Sequence, residues 1–133
     1  MQGDRVNATA AANEVADLRH RRRDLRRELA RVRWWRRLVA ARRDLTLASL
    51  TMPDAVAQDA TEIAWQALAA DAPTSLELAG AVWPDVHDVT VTDLDALDAL
   101  DARLDRYEGR LSATLDSVTA HMVEAMGRVH HAE

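Results

Sequence analysis

From Glu14 to Leu50 the chain contains neither glycine nor proline. Nothing in that stretch ends a helix. Asn13 can cap one, because its side-chain oxygen can accept a hydrogen bond from an orphan amide of the first turn. A helix over 14–50 is on the order of 50 Å long by its rise per residue. Met52-Pro53 terminates it. Residues 1–12 are small and polar and are expected to form a disordered lead-in to a single domain over 13–133.

The other end of the chain carries the same kind of signal. Thr92-Asp93-Leu94-Asp95 has capping chemistry and opens a second long helix over 93–128. Positions 94, 97, 101, 104, 108, 111, 115, 118, 122, 125 and 129 follow one another in steps of three and four. They hold Leu, Leu, Asp, Leu, Glu, Leu, Leu, Val, Met, Ala and Val. This is a coiled-coil seam with two acids set into it, Asp101 and Glu108.

The first helix has a matching seam at 15, 18, 22, 25, 29, 32, 36, 39 and 43. It carries Val15, Leu18, Leu25, Leu29, Val32 and Val39, with Arg22, Arg36 and Arg43 as intruders. Two such helices fold back on one another as an antiparallel hairpin. If Leu50 and Leu94 share one end, Arg43 falls near Asp101 and Arg36 near Glu108. Buried charges are paired, so this register gives each intruding charge a partner.

The connector over 51–91 is expected to be partly helical. DAVAQDATEIAWQALAAD reads as a short helix to about Ala70. Thr74-Ser75-Leu76-Glu77 is a capping box for one or two turns ending near Gly80. WPDVHDVTVT reads as extended or irregular. The fold class is therefore all-α: an antiparallel coiled-coil hairpin of two long helices with a partly helical connector. Composition agrees. The chain has no Phe, one Tyr and 48% apolar residues, dominated by Ala, Leu and Val, which suits helices better than sheets.

Charge divides the chain in two. Residues 1–50 hold 13 Arg against 6 acids, and residues 51–133 hold 4 Arg against 16 acids. Such a split suits a nucleic-acid arm, or one half of a chain lying on the other. Asp24 and Glu28 interrupt the basic run at helical spacing, and the acidic last helix takes up part of its charge. Nucleic-acid binding is therefore ranked behind a paired helix.

RVRWWRRLVAARRDL, residues 31–45, contains more than a seam needs. Trp34, Leu38, Ala41, Leu45, Ala48 and Met52 form a second stripe, nearly opposite the Leu25–Val32–Val39 seam. A helix apolar on two faces is covered on two sides. The second cover is either the connector, through Ile63, Trp65 and Leu68, or another polypeptide. Trp34, Leu38 and Leu45 are the candidate partner-binding residues.

No catalytic motif is present: no nucleophile elbow, phosphate loop or dinucleotide fingerprint. Without cysteine there is no thiolate zinc site. The five histidines, His20, His87, His121, His130 and His131, lack metal-ligand spacing. The chain reads as a non-enzyme without a metal. It shows no apolar leader and no membrane-length apolar run, so a cytoplasmic protein without membrane contact is expected.

VRWWRRLVAARRDLTLASL resembles the signature helix of RsiG-type anti-sigma factors of actinobacteria. Those are antiparallel helical hairpins that bind a sporulation sigma factor, with cyclic di-GMP held against the coiled coil. The family motif, Glu-x3-Ser-x2-Arg-x3-Gln-x3-Asp, occurs once per long helix. On the first helix Arg36 and Asp44 match, while Leu29, Arg33 and Ala40 stand at the Glu, Ser and Gln positions. On the last helix Glu108 and Ser112 match, while Leu115, Thr119 and Val123 replace Arg, Gln and Asp.

The resemblance implies a transcription regulator that binds and sequesters a sigma factor or another protein partner. It also implies ligand-binding residues Arg36, Asp44, Glu108 and Ser112. Loss of one motif arginine and both glutamines removes donors to a nucleotide, so no bound cofactor is expected. The alternatives are a cyclic di-GMP-responsive sensor and a self-associating structural coiled coil or homodimer. Arg36 and Glu108 keep two readings, a seam salt bridge and a nucleotide contact.

Overall fold

The computed structural model describes residues 2–51, 73–82 and 90–132. Three helices occur among them: α1 (Gln2–Leu50), α2 (Ser75–Val82) and α3 (Val91–Ala132). The long helices α1 and α3 run antiparallel along each other, and α2 packs against neither. The all-α hairpin read from the periodicity is the observed fold.

Both seams are as the spacing requires. Every position of each is buried or half-buried. Val15, Leu29, Val32 and Val39 of α1 and Leu111, Val118, Met122 and Ala125 of α3 are buried, and Val32 is only 1% exposed. Leu29, Val32 and Leu111 form the centre, with Leu25, Leu104, Tyr107 and Leu115 packed around them. Burying such side chains stabilises by about 1.5–3 kcal/mol each.

The fully buried α3 residues lie between Leu111 and Ala125. Between Asp98 and Glu108 the helix adds ion pairs with α1 to the packing of Leu104 and Tyr107. The half of the hairpin near the connector thus carries most of the inter-helix ion pairs, beside buried Val39 and Thr46, and the half at the open end holds the buried apolar residues of α3.

Helix boundaries differ from expectation in three places. Residues 1–12 were expected to be disordered, yet α1 is helical from Gln2. The run Asn7-Ala8-Thr9-Ala10-Ala11-Ala12 is rich in the best helix former, and Ala8 and Ala11 are half-buried. A helix whose next turns are already packed extends at little cost through such a sequence.

Helix α3 starts at Val91 rather than Asp93, with its box on Thr90 and Asp93. The Asp93 amide donates to Thr90 Oγ1 at 3.4 Å, and the Thr90 amide donates to Asp93 Oδ2 at 2.7 Å. Thr90 and Thr92 each have an aspartate three residues on, so the sequence offers two overlapping boxes. The earlier one is used, and helix extends past Arg128 to Ala132.

The box before α2 is as expected: the Glu77 amide donates to Thr74 Oγ1 at 3.1 Å and the Thr74 amide to Glu77 Oε2 at 3.3 Å. The expected connector helix ending near Ala70, the contacts of Ile63, Trp65 and Leu68, and most of WPDVHDVTVT lie outside the described residues.

Candidate functional site

Arg36 is the hub of the inter-helix ion pairs. Its Nη1 donates to Glu108 Oε2 at 2.6 Å and to Asp105 Oδ1 at 3.1 Å, and its Nε donates to Asp101 Oδ1 at 3.2 Å. Arg33 Nε adds a bond to Glu108 Oε1 at 2.8 Å. Helical spacing explains the set. Asp101, Asp105 and Glu108 are four and three residues apart on α3, and Arg33 lies one turn before Arg36 on α1.

The hydrogen bonds from Arg33 and then Arg36 hold the Glu108 carboxyl below its ordinary range. Reciprocally, Glu108 and then Asp101 push the Arg36 guanidinium upward. The side chains of Arg36 and Glu108 retain only 30% and 19% of their exposure, so solvent screens this pair less than a surface one.

The Arg36–Glu108 pairing therefore has the expected register. Arg43 differs. It was expected opposite Asp101, but its Nε bonds to Asp98 Oδ1, one turn nearer the connector. Asp101 is held by Arg36 instead. A guanidinium reaches about a turn along the facing helix, so the hub and Arg43 divide the two aspartates between them.

On the other side of the seam, Tyr107 Oη donates to Glu28 Oε1 at 3.0 Å. Arg31 binds the same carboxylate with both Nε and Nη2, at 2.9 and 2.7 Å. These bonds, Arg31's first and Tyr107's second, hold the Glu28 carboxyl at about 2. The Tyr107 hydroxyl is raised in turn, chiefly by its bond to Glu28.

A carboxyl depressed by folding stabilises the fold above its unfolded pKa and loses that contribution as pH falls through the folded value. For Glu28 that window runs from about 4.5 down to about 2. The thermal midpoint is expected to hold steady above about pH 5 and to fall across this window. Glu28→Gln is expected to lower the midpoint at neutral pH and to shrink the acid-induced fall. An unchanged acid profile in that variant would remove Glu28 as a contributor.

The other candidate ligand residues do not join the hub. Asp44 is exposed beside Arg43. Ser112 is half-buried one turn beyond Glu108. Neither makes a hydrogen bond to Arg36 or Glu108. Three carboxylates already occupy Arg36. Among the described residues there is no group of three or more His, Asp or Glu placed to hold a metal ion, and no helix long and apolar enough to cross a membrane.

The second stripe of α1 faces away from α3. Trp34 is 46% exposed, Leu38 is 42% exposed and Leu45 is half-buried. Met52 lies outside the described residues. Trp35 joins the exposed face at 44%. The two indoles meet edge to face, with centroids 4.8 Å apart, an arrangement that aromatic quadrupoles favour. Spacing arguments passed over Trp35 because it stands 100° from Trp34 around the helix; only ring contact unites them. The roles of Arg33 and Tyr107 were also missed, although Arg33 shares a helix face with Arg36 and so signals its pairing.

Compared with protein-family models, with curated proteins and with solved structures, the chain matches none.

Proposed function

We propose that the hairpin is a non-enzymatic binding protein that recognises a partner protein through the exposed Trp34–Trp35–Leu38 face of α1. The partner class suggested by the resemblance of this helix is a sigma factor, which the hairpin would sequester to regulate transcription. The observation that carries the reading is two mutually packed indoles, each more than two-fifths exposed, with Trp34 and Leu38 on the side of α1 away from its seam and Trp35 flanking it. Large apolar side chains grouped in this way mark interaction surfaces more often than an isolated exposed residue does. Interface energy concentrates in tryptophan and arginine, and Arg37 lies beside these rings in the sequence.

A nucleotide taking Arg36 would have to displace three carboxylates that already neutralise it. That favours a structural role for Arg36 and supports protein binding over nucleotide sensing. The test is co-purification from the native host, identification of the retained protein, and titration of that partner against Trp34→Ala. Affinity is expected to fall by about 2 kcal/mol or more, with helix content and thermal midpoint nearly unchanged. Loss of thermal stability with unchanged affinity would make Trp34 a packing residue and refute this face as the interface. Retention of no sigma factor would refute the partner class.

A further inference from the structure

We propose that the groove between the N-terminal half of α1 and the C-terminal half of α3 binds an acidic amphipathic helix of a partner protein. Arg19, Arg22, Arg23 and Arg26 recur at i, i+3, i+4 and i+7 on α1, and with Met122 and Met126 of α3 they line a groove of about 410 Å³. The groove continues past Arg19 and Met126 into a cavity of about 590 Å³ between Val15 and Val129.

Nearer the connector, arginines along the hairpin meet carboxylates of α3: Arg33 and Arg36 meet Glu108, and Arg43 meets Asp98. Beyond Glu108 the only acids among the described residues of α3 are Asp116 and Glu124. Among the described residues, no carboxylate lies within ion-pair distance of the four groove arginines. Arg22 Nε is buried and has no hydrogen-bond acceptor. A buried charged donor without an acceptor is costly, and a carboxylate entering the groove would relieve it.

The floor selects among anions. Met122 is buried in the seam, and Met126 is 42% exposed over the groove. Methionine is a flexible, polarizable surface that adapts to inserted apolar side chains. An apolar strip edged by guanidinium groups at helical spacing is complementary to a helix with apolar residues on one face and carboxylates beside them. A polyphosphate backbone makes no use of such a floor. The groove lies at the helix junction, apart from the Trp34 stripe, so this proposal stands or falls separately from the one above.

The test is fluorescence anisotropy of the full chain with a labelled amphipathic peptide bearing glutamates three and four residues apart beside a leucine stripe. The same peptide with Gln for Glu, and a single-stranded DNA oligonucleotide, serve as comparisons. The glutamate peptide is expected to bind tightest. Arg22→Gln with Arg26→Gln is expected to weaken it about tenfold or more, because a desolvated carboxylate loses its partners. Met126→Gln is expected to weaken it severalfold. Arg106→Gln, at an exposed position of α3 outside the groove, is expected to leave it unchanged.

Helix content is followed by circular dichroism. If the first pair of changes unfolds the hairpin, Arg19→Gln with Arg23→Gln, both at exposed positions, carries the same expectation. Equal binding of the glutamine peptide would overturn the proposal. So would equal weakening by Arg106→Gln, or tighter binding of DNA that is indifferent to Met126→Gln.

Discussion

Leu111→Ala is expected to destabilise the hairpin by about 2–5 kcal/mol, the range for deleting a buried leucine side chain. Leu111 packs on Leu29 and Val32 at the centre of the seam. Among the described residues the hairpin has no second layer to collapse into the space left behind, which favours the upper part of the range. Domains of this size are stable by only about 5–15 kcal/mol, so the loss is a large fraction of the total. The thermal midpoint is expected to fall by roughly 10 °C or more. Leu47→Ala, at an exposed position of α1, is the internal control and is expected to change stability by about 0.5 kcal/mol or less. Comparable losses in the two variants would mean that the centre of the fold lies elsewhere.

Arg36→Met is expected to cost about 2–3 kcal/mol. Removing one partner of a fully buried pair costs about 3–5 kcal/mol, and the partial exposure of Arg36 reduces that figure. The change keeps the aliphatic stem and leaves Asp101, Asp105 and Glu108 facing one another without their shared cation. Two consequences distinguish this from a generic packing defect. The deficit should shrink in acid, as the Glu108 carboxyl, held low by its bonds to Arg33 and Arg36, takes up a proton. Replacing Glu108 by Leu in the same chain should recover part of the loss, because an apolar pair avoids the desolvation cost of the ions. A double-mutant cycle with no coupling between positions 36 and 108, followed by thermal unfolding, would remove Arg36 as the hub.

What the sequence disclosed and what it withheld have separate physical causes. The seams were legible because steps of three and four register burial directly: Leu29, Val32, Leu111 and Val118 could face nothing but another helix. The Arg36–Glu108 pair was legible because the two seams, laid antiparallel, put unlike charges opposite each other. Arg43 found Asp98 rather than Asp101 because a long side chain blurs register by about a turn, and spacing cannot say which of two nearby aspartates it reaches. The start of α3 was ambiguous because Thr90–Asp93 and Thr92–Asp95 are equivalent as boxes. The start of α1 was misjudged because small residues were read as disorder when several of them were alanine. For the candidate binding face, the stripe through Trp34 and Leu38 could be drawn from periodicity. Whether it was covered could not, since exposure is decided by elements elsewhere in the chain.

The clustering of inter-helix ion pairs nearer the connector bears on how such a chain finds its fold. Neither long helix gains tertiary support until the chain between them has closed a loop. The closure at Arg43–Asp98 spans 55 residues, whereas that at Glu14–Arg128 spans 114. Doubling a loop costs only about 0.6 kcal/mol, so entropy alone orders the two weakly. The reach of the forces orders them further. Unlike charges attract across about 10 Å at 0.1 M salt, while apolar side chains gain only at contact. The guanidinium and carboxylate groups beside the connector thus sit where closure is cheapest and act over the longer range. Val32, Leu111 and Val118 lie farther along, where helices already aligned can zip shut.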